Sequence, residues 1–381
     1  MNAPRFGVYI HWPYCGTICP YCDFNVYRQR GASNADLIQA IALDLKGQAA
    51  HFKTSPAETV FLGGGTPSLL SGGEIAELLA AVDEAVGITA GAEITLEANP
   101  EDAPRFADQA AAGVNRFSIG LQAMRDDALK DLGRRHTATD GKAAVEAAAQ
   151  TGQRVSLDLI YARPGQTEVE WQLELQEALV LPAEHFSLYQ LTIEASTAFG
   201  RAAARGRLRV PGAEHAADFF EITQAMCAAA GAPAYEVSNH ARSTAARAQH
   251  NLMYWTGGRW IGAGPGAHGR LDDAHGTVVA TEAQDRPDGY RKAITQTGLG
   301  FSNTTKLTRE EVGDEQLLMG LRIIEGVDRA AVEAAWGRPL NQTRAMALVA
   351  QGLIALENGR VRLLPPGVLV SDRIALELAL P

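Results

Sequence analysis

Three of the four cysteines in this 381-residue chain fall in one short stretch, Cys15-Gly16-Thr17-Ile18-Cys19-Pro20-Tyr21-Cys22. The spacing C-x3-C-x2-C lets three thiolates converge on one face of a compact loop. Thiolates are the soft donors that zinc and iron–sulfur clusters take. A four-iron cubane held by three sulfurs keeps one iron without a protein ligand, and that iron can chelate a molecule from outside. Two other readings compete. A disulfide is disfavoured, because the chain is poor in cysteine and leaves no room for an export signal ahead of Phe6. Structural zinc closes its shell with four ligands, usually from two paired clusters, and no second cluster follows. His11 could supply a fourth donor, but it precedes Cys15 in an apparent strand. The cluster with an open iron is the reading the spacing supports best.

Further chemistry-bearing residues recur where apolar runs end. Gly63-Gly64-Gly65-Thr66-Pro67 has no Cβ over three positions, so its backbone can approach a ligand closely. The same run also suits a turn before a helix start near Ser71, and without a following Gly-Lys-Ser/Thr it is poorly suited to a phosphate loop. Glu97, in Leu96-Glu97-Ala98-Asn99-Pro100, ends an apolar run where a carboxylate is costly unless paired; a capping or ion-paired acid is the plain alternative. Gln122 ends the next such run, Gly133-Arg134-Arg135-His136 brings a cation, and Asp158 lies within Ser156–Tyr161. Arg163 either adds charge nearby or stays solvated in its loop. Farther on, His250-Asn251-Leu252-Met253-Tyr254-Trp255 sets a histidine beside aromatic and thioether side chains, which offers haem an axial ligand and flat apolar walls. Most histidines near aromatics are simply packed or hydrogen-bonded.

These residues need a frame. Short β-rich runs at Phe6–Trp12, Thr59–Leu62, Glu93–Ala98, Arg116–Ile119, Val155–Tyr161 and His185–Leu191 alternate with amphipathic stretches of helical period near 34–52, 73–86, 104–112, 139–151, 168–180 and 214–230. Alternating β and α predicts a parallel sheet with helices outside, and sites gather at the carboxyl ends of its strands. Six units are too few for a closed eight-unit barrel, so the α/β fold expected is an incomplete (β/α)6 barrel. Pro233–Asn239 reads as a further strand. Loop-forming residues near 285–305 suggest a boundary. Beyond it three helices, near 308–324, 329–336 and 340–351, precede two strands joined by Asn358-Gly359, a hairpin signal, and a final helix. That pattern predicts a small C-terminal α+β winged-helix-like domain. The expected division is residues 1–240, 241–299 and 300–381.

The stretch from Tyr9-Ile10-His11-Trp12-Pro13-Tyr14-Cys15 through Cys22-Asp23-Phe24 resembles radical S-adenosylmethionine (SAM) proteins, and within them the branch of oxygen-independent coproporphyrinogen III dehydrogenases (HemN) and HemW haem chaperones. The resemblance implies a [4Fe-4S] cluster on Cys15, Cys19 and Cys22, with SAM on the open iron through its amine and carboxylate. It implies SAM contacts from Tyr9, Gly64, Gly65, Thr66, Glu97, Gln122, Arg134 and Asp158. Glu97 and Asp158 suit ribose hydroxyls and the cationic end of SAM; Arg134 and Gln122 suit its carboxylate and other polar edges. HNxxYW resembles the element associated with haem binding in the chaperones and marks His250. Ala162-Arg163 and Arg247-Ala248-Gln249 depart from the residues more usual there.

Two functions compete: a haem chaperone that hands haem to acceptor haemoproteins, including respiratory, membrane-bound ones, and a radical SAM enzyme that decarboxylates coproporphyrinogen III. Phe24, where the dehydrogenases carry another cysteine, favours the chaperone, as do the short stretch before the first strand and the HNxxYW element. A homodimer is compatible with either. The net charge of −10 argues against general nucleic-acid binding, and from residue 300 onward 9 Lys/Arg against 10 Asp/Glu disfavour DNA reading by the C-terminal domain. No apolar run approaches the ~20 residues of a membrane span. A cytoplasmic protein is expected, peripheral to the membrane when it delivers haem.

Overall fold

The computed structural model describes residues 5–29 and 33–380. Its centre is six parallel strands: β1 Phe6–Trp12, β2 Ala57–Gly64, β3 Ile88–Ala98, β4 Arg116–Gln122, β5 Arg154–Tyr161 and β6 His185–Gln190. They pair in chain order, each with the next. Period-2 alternation divides every strand into two faces. Val8, Ile10 and Trp12 of β1, Phe117, Ile119 and Leu121 of β4, and Leu157 and Leu159 of β5 are fully buried against the outer helices. Each such large apolar side chain contributes ~1.5–3 kcal/mol over leaving it in water. The intervening residues turn to the concave side: Tyr9 and His11, Ser118 and Gly120, and Asp158.

The outer helices begin where the sequence supplies caps. Ser71 with Glu74, Thr137 with Asp140 and Thr167 with Glu170 each form a reciprocal capping box at the start of Gly72–Val86, Ala138–Gln150 and Glu168–Leu179. The sheet does not close. Beside β6, β7 Asn239–Ala241 runs antiparallel. Beside β1, β8 Arg259–Ala263 runs parallel, followed by the antiparallel β9 His268–Asp272, β10 Val278–Ala283 and β11 Phe301–Lys306. The result is one open sheet of 11 strands.

Two sequence expectations change here. The strand expected over Pro233–Asn239 is reduced to β7, because the Glu236 carboxylate accepts from Ser238 N and the Asn239 amide and folds the chain into a tight bend. The loop-like stretch at 285–305 holds the helix Pro287–Thr297 and β11. Buried Asp44 fastens it to the barrel, accepting from the Tyr290 hydroxyl at 2.7 Å and Gly300 N at 2.8 Å.

The C-terminal domain has its own core, with Leu317, Trp336, Leu348, Ile354, Val361 and Leu378 at its centre. Ile354–Glu357 and Arg360–Leu363 form the expected hairpin; Asn358 and Gly359 both take positive φ, 51° and 75°, which is why Asn-Gly suits this two-residue turn. The domain docks beside the helix Gln249–Trp255 through Arg247–Glu325 at 2.7 Å, Arg270–Glu315 at 3.0 Å and Arg322–Glu236 at 3.4 Å.

Candidate functional site

The carboxyl ends of β1–β6 surround a cavity of about 420 Å³, and ten of the twelve site residues named from sequence line it: Cys15, Cys19, Cys22, Gly64, Gly65, Thr66, Glu97, Gln122, Arg134 and Asp158. The cysteine loop leaves β1, is pinned by a two-residue ladder between Tyr14–Cys15 and Tyr27–Arg28, and turns where Cys22 N donates to Cys19 O. The three thiols are free. Burial pushes Cys15 up and Cys22 up to about 11, so these two stand as neutral thiols until a metal displaces their protons. The Arg134 guanidinium lies 3.7 Å from Cys19 Sγ. No three His, Cys, Asp or Glu side chains among the described residues are grouped as ligands of one ion would be. His11 points away from the thiols: its Nδ1 meets the Tyr9 hydroxyl and its Nε2 the Asn25 carbonyl, both at 2.9 Å. The carbonyl fixes the proton on Nε2, so Tyr9 donates to Nδ1.

The glycine run crosses directly behind the cysteine loop. Gly65 N donates to Trp12 O at 2.7 Å and Thr66 N to Tyr14 O at 2.9 Å. A Cβ on Gly65 would lie 2.7 Å from Tyr14 O, and Gly64 has φ 101°, so both positions require glycine. Glu97 accepts from Gly64 N at 2.9 Å. Burial, and then the nearby Asp158 carboxylate, raise the Glu97 pKa to about 8. Burial raises Asp158 to about 6, opposed by hydroxyls of Ser187 and Ser118 and by the charges of Arg116 and Arg134. Two acids held this high in one cavity favour a cationic or hydroxyl-rich ligand, which restores their charged forms. Arg134 is aimed by Asn99 Oδ1 at 2.6 Å and Gly120 O at 3.0 Å. Gln122 reaches in from a strained backbone, with φ 69°.

Tyr9 and His250 do not line this cavity. Tyr9 is tied to His11 and packs on Phe61, with ring centroids 6.1 Å apart. His250 sits at the amino ends of the strands, on the helix Gln249–Trp255, 1% exposed. Thr59 Oγ1 meets its Nδ1 at 2.8 Å, the Tyr254 hydroxyl meets its Nε2 at 2.7 Å, and Phe61 stacks on the ring at 5.1 Å. Burial lowers its pKa to about 3. Both nitrogens are engaged, so ligation of an iron by this ring requires one of those bonds to open. The expected flat walls are also covered by the chain itself: Tyr254 packs on Trp260 at 4.6 Å, and the Arg322 guanidinium lies 4.6 Å from the Trp255 ring. Arg163 is buried and paired with Glu174, with Nη1 donating to Ile160 O at 2.9 Å; neither expectation for it, added charge at the mouth or solvation, describes it. The sequence reading missed Asn99, Arg116, Ser118, Ser187, Tyr189 and Asn251, which line the cavity. For the strand residues, polar side chains alternating with buried apolar ones was the available signal.

Comparison with known proteins agrees with this architecture. A radical SAM superfamily model matches residues 9–177 and a HemN C-terminal domain model matches residues 307–370. The mouse protein named radical S-adenosyl methionine domain-containing protein 1, mitochondrial, is 37% identical over 388 residues, covering 99% of this chain and 88% of that one. Heme chaperone HemW of Mycobacterium tuberculosis is 36% identical over 380 residues, 98% of this chain and 95% of its own. The Escherichia coli HemW is 40% identical over 294 residues, 76% of each.

The chain belongs to the HemN/HemW family of radical SAM proteins.

Its fold matches the solved structure of coproporphyrinogen III oxidase HemN from Escherichia coli, with a TM-score of 0.83 over 99% of this chain and 90% of that one, at 20% identity. The radical SAM domain implies a [4Fe-4S] cluster and SAM. The donor set here fits both: three soft thiols at one cavity rim, a guanidinium beside them, a glycine backbone behind them and two ligand-seeking carboxyls below.

Proposed function

We propose that this protein is a haem chaperone that binds haem and transfers it to acceptor haemoproteins, with a SAM-binding [4Fe-4S] cluster on Cys15, Cys19 and Cys22. The reading rests above all on the full-length similarity to proteins named heme chaperone HemW, 36% identical across 98% of the chain. Phe24 supports it, standing at the cavity rim without a further thiol, 59% exposed.

Cys15, Cys19 and Cys22 would hold the cluster, which would supply an electron to a bound sulfonium. The residues of this chain then have separable tasks. Gly64, Gly65 and Thr66 present backbone to the ligand's amino-acid end. Glu97 and Asp158 take its cationic and hydroxyl groups, Glu97 giving up its proton as the ligand enters. Arg134 sets a positive charge beside the thiolates, and Gln122 adds a polar edge. Haem associates with the 250–255 segment, where His250 ligates once the Tyr254 hydroxyl releases Nε2. Tyr9 acts by holding Phe61, which stacks on the His250 ring. Transfer needs haem to leave, and a histidine that can re-bond to Tyr254 is a reversible ligand.

Anaerobic haem titration, run beside an assay for protoporphyrinogen formation from coproporphyrinogen III with SAM and reductant, tests the reading. Stoichiometric haem binding without turnover is expected. Turnover without stable haem binding would replace the chaperone by the dehydrogenase.

A further inference from the structure

The Arg116 side chain opens β4, is 3% exposed and lines the cavity, yet its guanidinium makes no hydrogen bond or ion pair with any described residue. The carboxylates that feel its charge have other partners. Glu93 accepts from Arg154 at 2.6 Å, Gln249 N at 3.1 Å and His250 N at 2.9 Å. Asp158 accepts from the Ser118 hydroxyl at 3.1 Å on each oxygen, and from Ser187. The guanidinium faces the cavity with its donors unused by the protein, and its planar fork matches a carboxylate. Asn251 reaches the same cavity from the helix Gln249–Trp255, and its amide also bonds to no described residue. Apolar side chains, Phe61, Ile160, Tyr189 and Leu191, line the walls. Glu97 and Gln122 stand nearer the carboxyl ends of β3 and β4.

We infer that Arg116 and Asn251 form a carboxylate-binding floor, which receives a propionate of haem held at the 250–255 segment. This rests on the function proposed above; the carboxylate of SAM, expected on the open iron, is the control.

Paired titrations of the full-length, anaerobically reconstituted protein distinguish them. Haem is compared with haem dimethyl ester, and SAM with decarboxylated SAM. In the wild type the haem pair should differ by at least about 10-fold in affinity. N251D places an internal carboxylate beside Arg116, and R116Q removes the fork; each should erase that preference, while R116K keeps part of it. Asn251 is half-buried with no hydrogen bond to lose, so N251D decides the matter if R116Q fails to fold. Loss confined to the haem pair assigns the propionate, and the SAM pair should keep its preference in both variants. No preference for the acid in the haem pair, or one that survives N251D unchanged, overturns the carboxylate floor. If the wild type binds no haem, the chaperone reading and the floor fall together.

Discussion

The two ends of the barrel are built on opposite terms. At the carboxyl end three thiols are free, Glu97 and Asp158 are held protonated well above the ordinary carboxylate range, and non-glycine backbone is strained at Gln122 and Ala162. At the amino end His250 has both nitrogens bonded, His185 bonds Ser156 and Tyr235 at 2.7 and 2.8 Å, and Glu93 satisfies two helix N–H groups and Arg154. One end has partners still to find; the other is largely complete in itself. The difference separates residues that wait for a ligand from those that hold the fold, although both groups are polar and buried. Apart from Arg116 and Asn251, substitutions at the amino end should therefore act first on stability, and those at the mouth on ligand binding.

The largest effect is expected at the mouth. Changing Cys15, Cys19 and Cys22 together to Ala should abolish the visible absorbance of reconstituted iron, yet cost about 1 kcal/mol or less per site in urea unfolding. Iron absorbance that persists would move the cluster elsewhere.

At the floor, His250→Ala should cost about 3 kcal/mol or more, because it opens a hole beneath Phe61 and leaves Thr59 and Tyr254 without their partner. Weakened haem binding in that variant would be ambiguous on its own. Tyr254→Phe sharpens it: losing one hydrogen bond costs about 1 kcal/mol and frees Nε2. If His250 ligates haem iron, Tyr254→Phe should tighten haem binding and shift the haem absorption bands; an unchanged spectrum and affinity would leave His250 a packed side chain.

The same contrast explains what the sequence could disclose. The six strands and the helices between them were legible because apolar alternation and capping residues such as Ser71 and Thr167 are local. The cysteine loop was legible because thiol spacing is a chemical pattern. His250 was harder. Its motif marks a position, but whether its nitrogens are free depends on Thr59, 191 residues away, and no local pattern carries that. The same holds for Pro287–Thr297, whose place is set by Asp44, and for Arg163, whose partner is a helix residue. Arg116 and Asn251 passed unnoticed because an unsatisfied donor is visible only once its neighbours are placed.

A third test uses pH. Glu97 is a carboxyl whose pKa in the folded protein is about 8, above the ordinary 4.5. Its ionisation therefore works against folding: the stability it allows is complete below 4.5 and is lost as pH rises toward 8. A cationic ligand reverses this, because it binds the carboxylate. SAM affinity should rise on the order of 10-fold between pH 6 and 8, S-adenosylhomocysteine should gain less, and Glu97→Gln should flatten both the ligand profile and the stability slope. Isothermal titration across that window measures the first, and thermal unfolding the second. A pH-independent SAM affinity in the wild type would place Glu97 outside the ligand's reach.

The smallest effect isolates backbone strain. Ala162 follows β5 directly and has φ 54°, a left-handed conformation that a Cβ disfavours and that glycine adopts freely. It is 2% exposed, so relaxation by moving outward is blocked. Ala162→Gly should stabilise the protein by about 1 kcal/mol, less the greater entropy of the unfolded glycine chain. The gain should appear in the urea midpoint with an unchanged slope. Because Arg163 N donates to Gln166 Oε1 and its guanidinium is locked to Glu174, the loop beyond should keep its shape. If Ala162→Gly instead lowered stability, the turn would be held by its neighbours firmly enough to impose no strain on alanine, and the division between a strained mouth and a relaxed floor would rest on Gln122 alone.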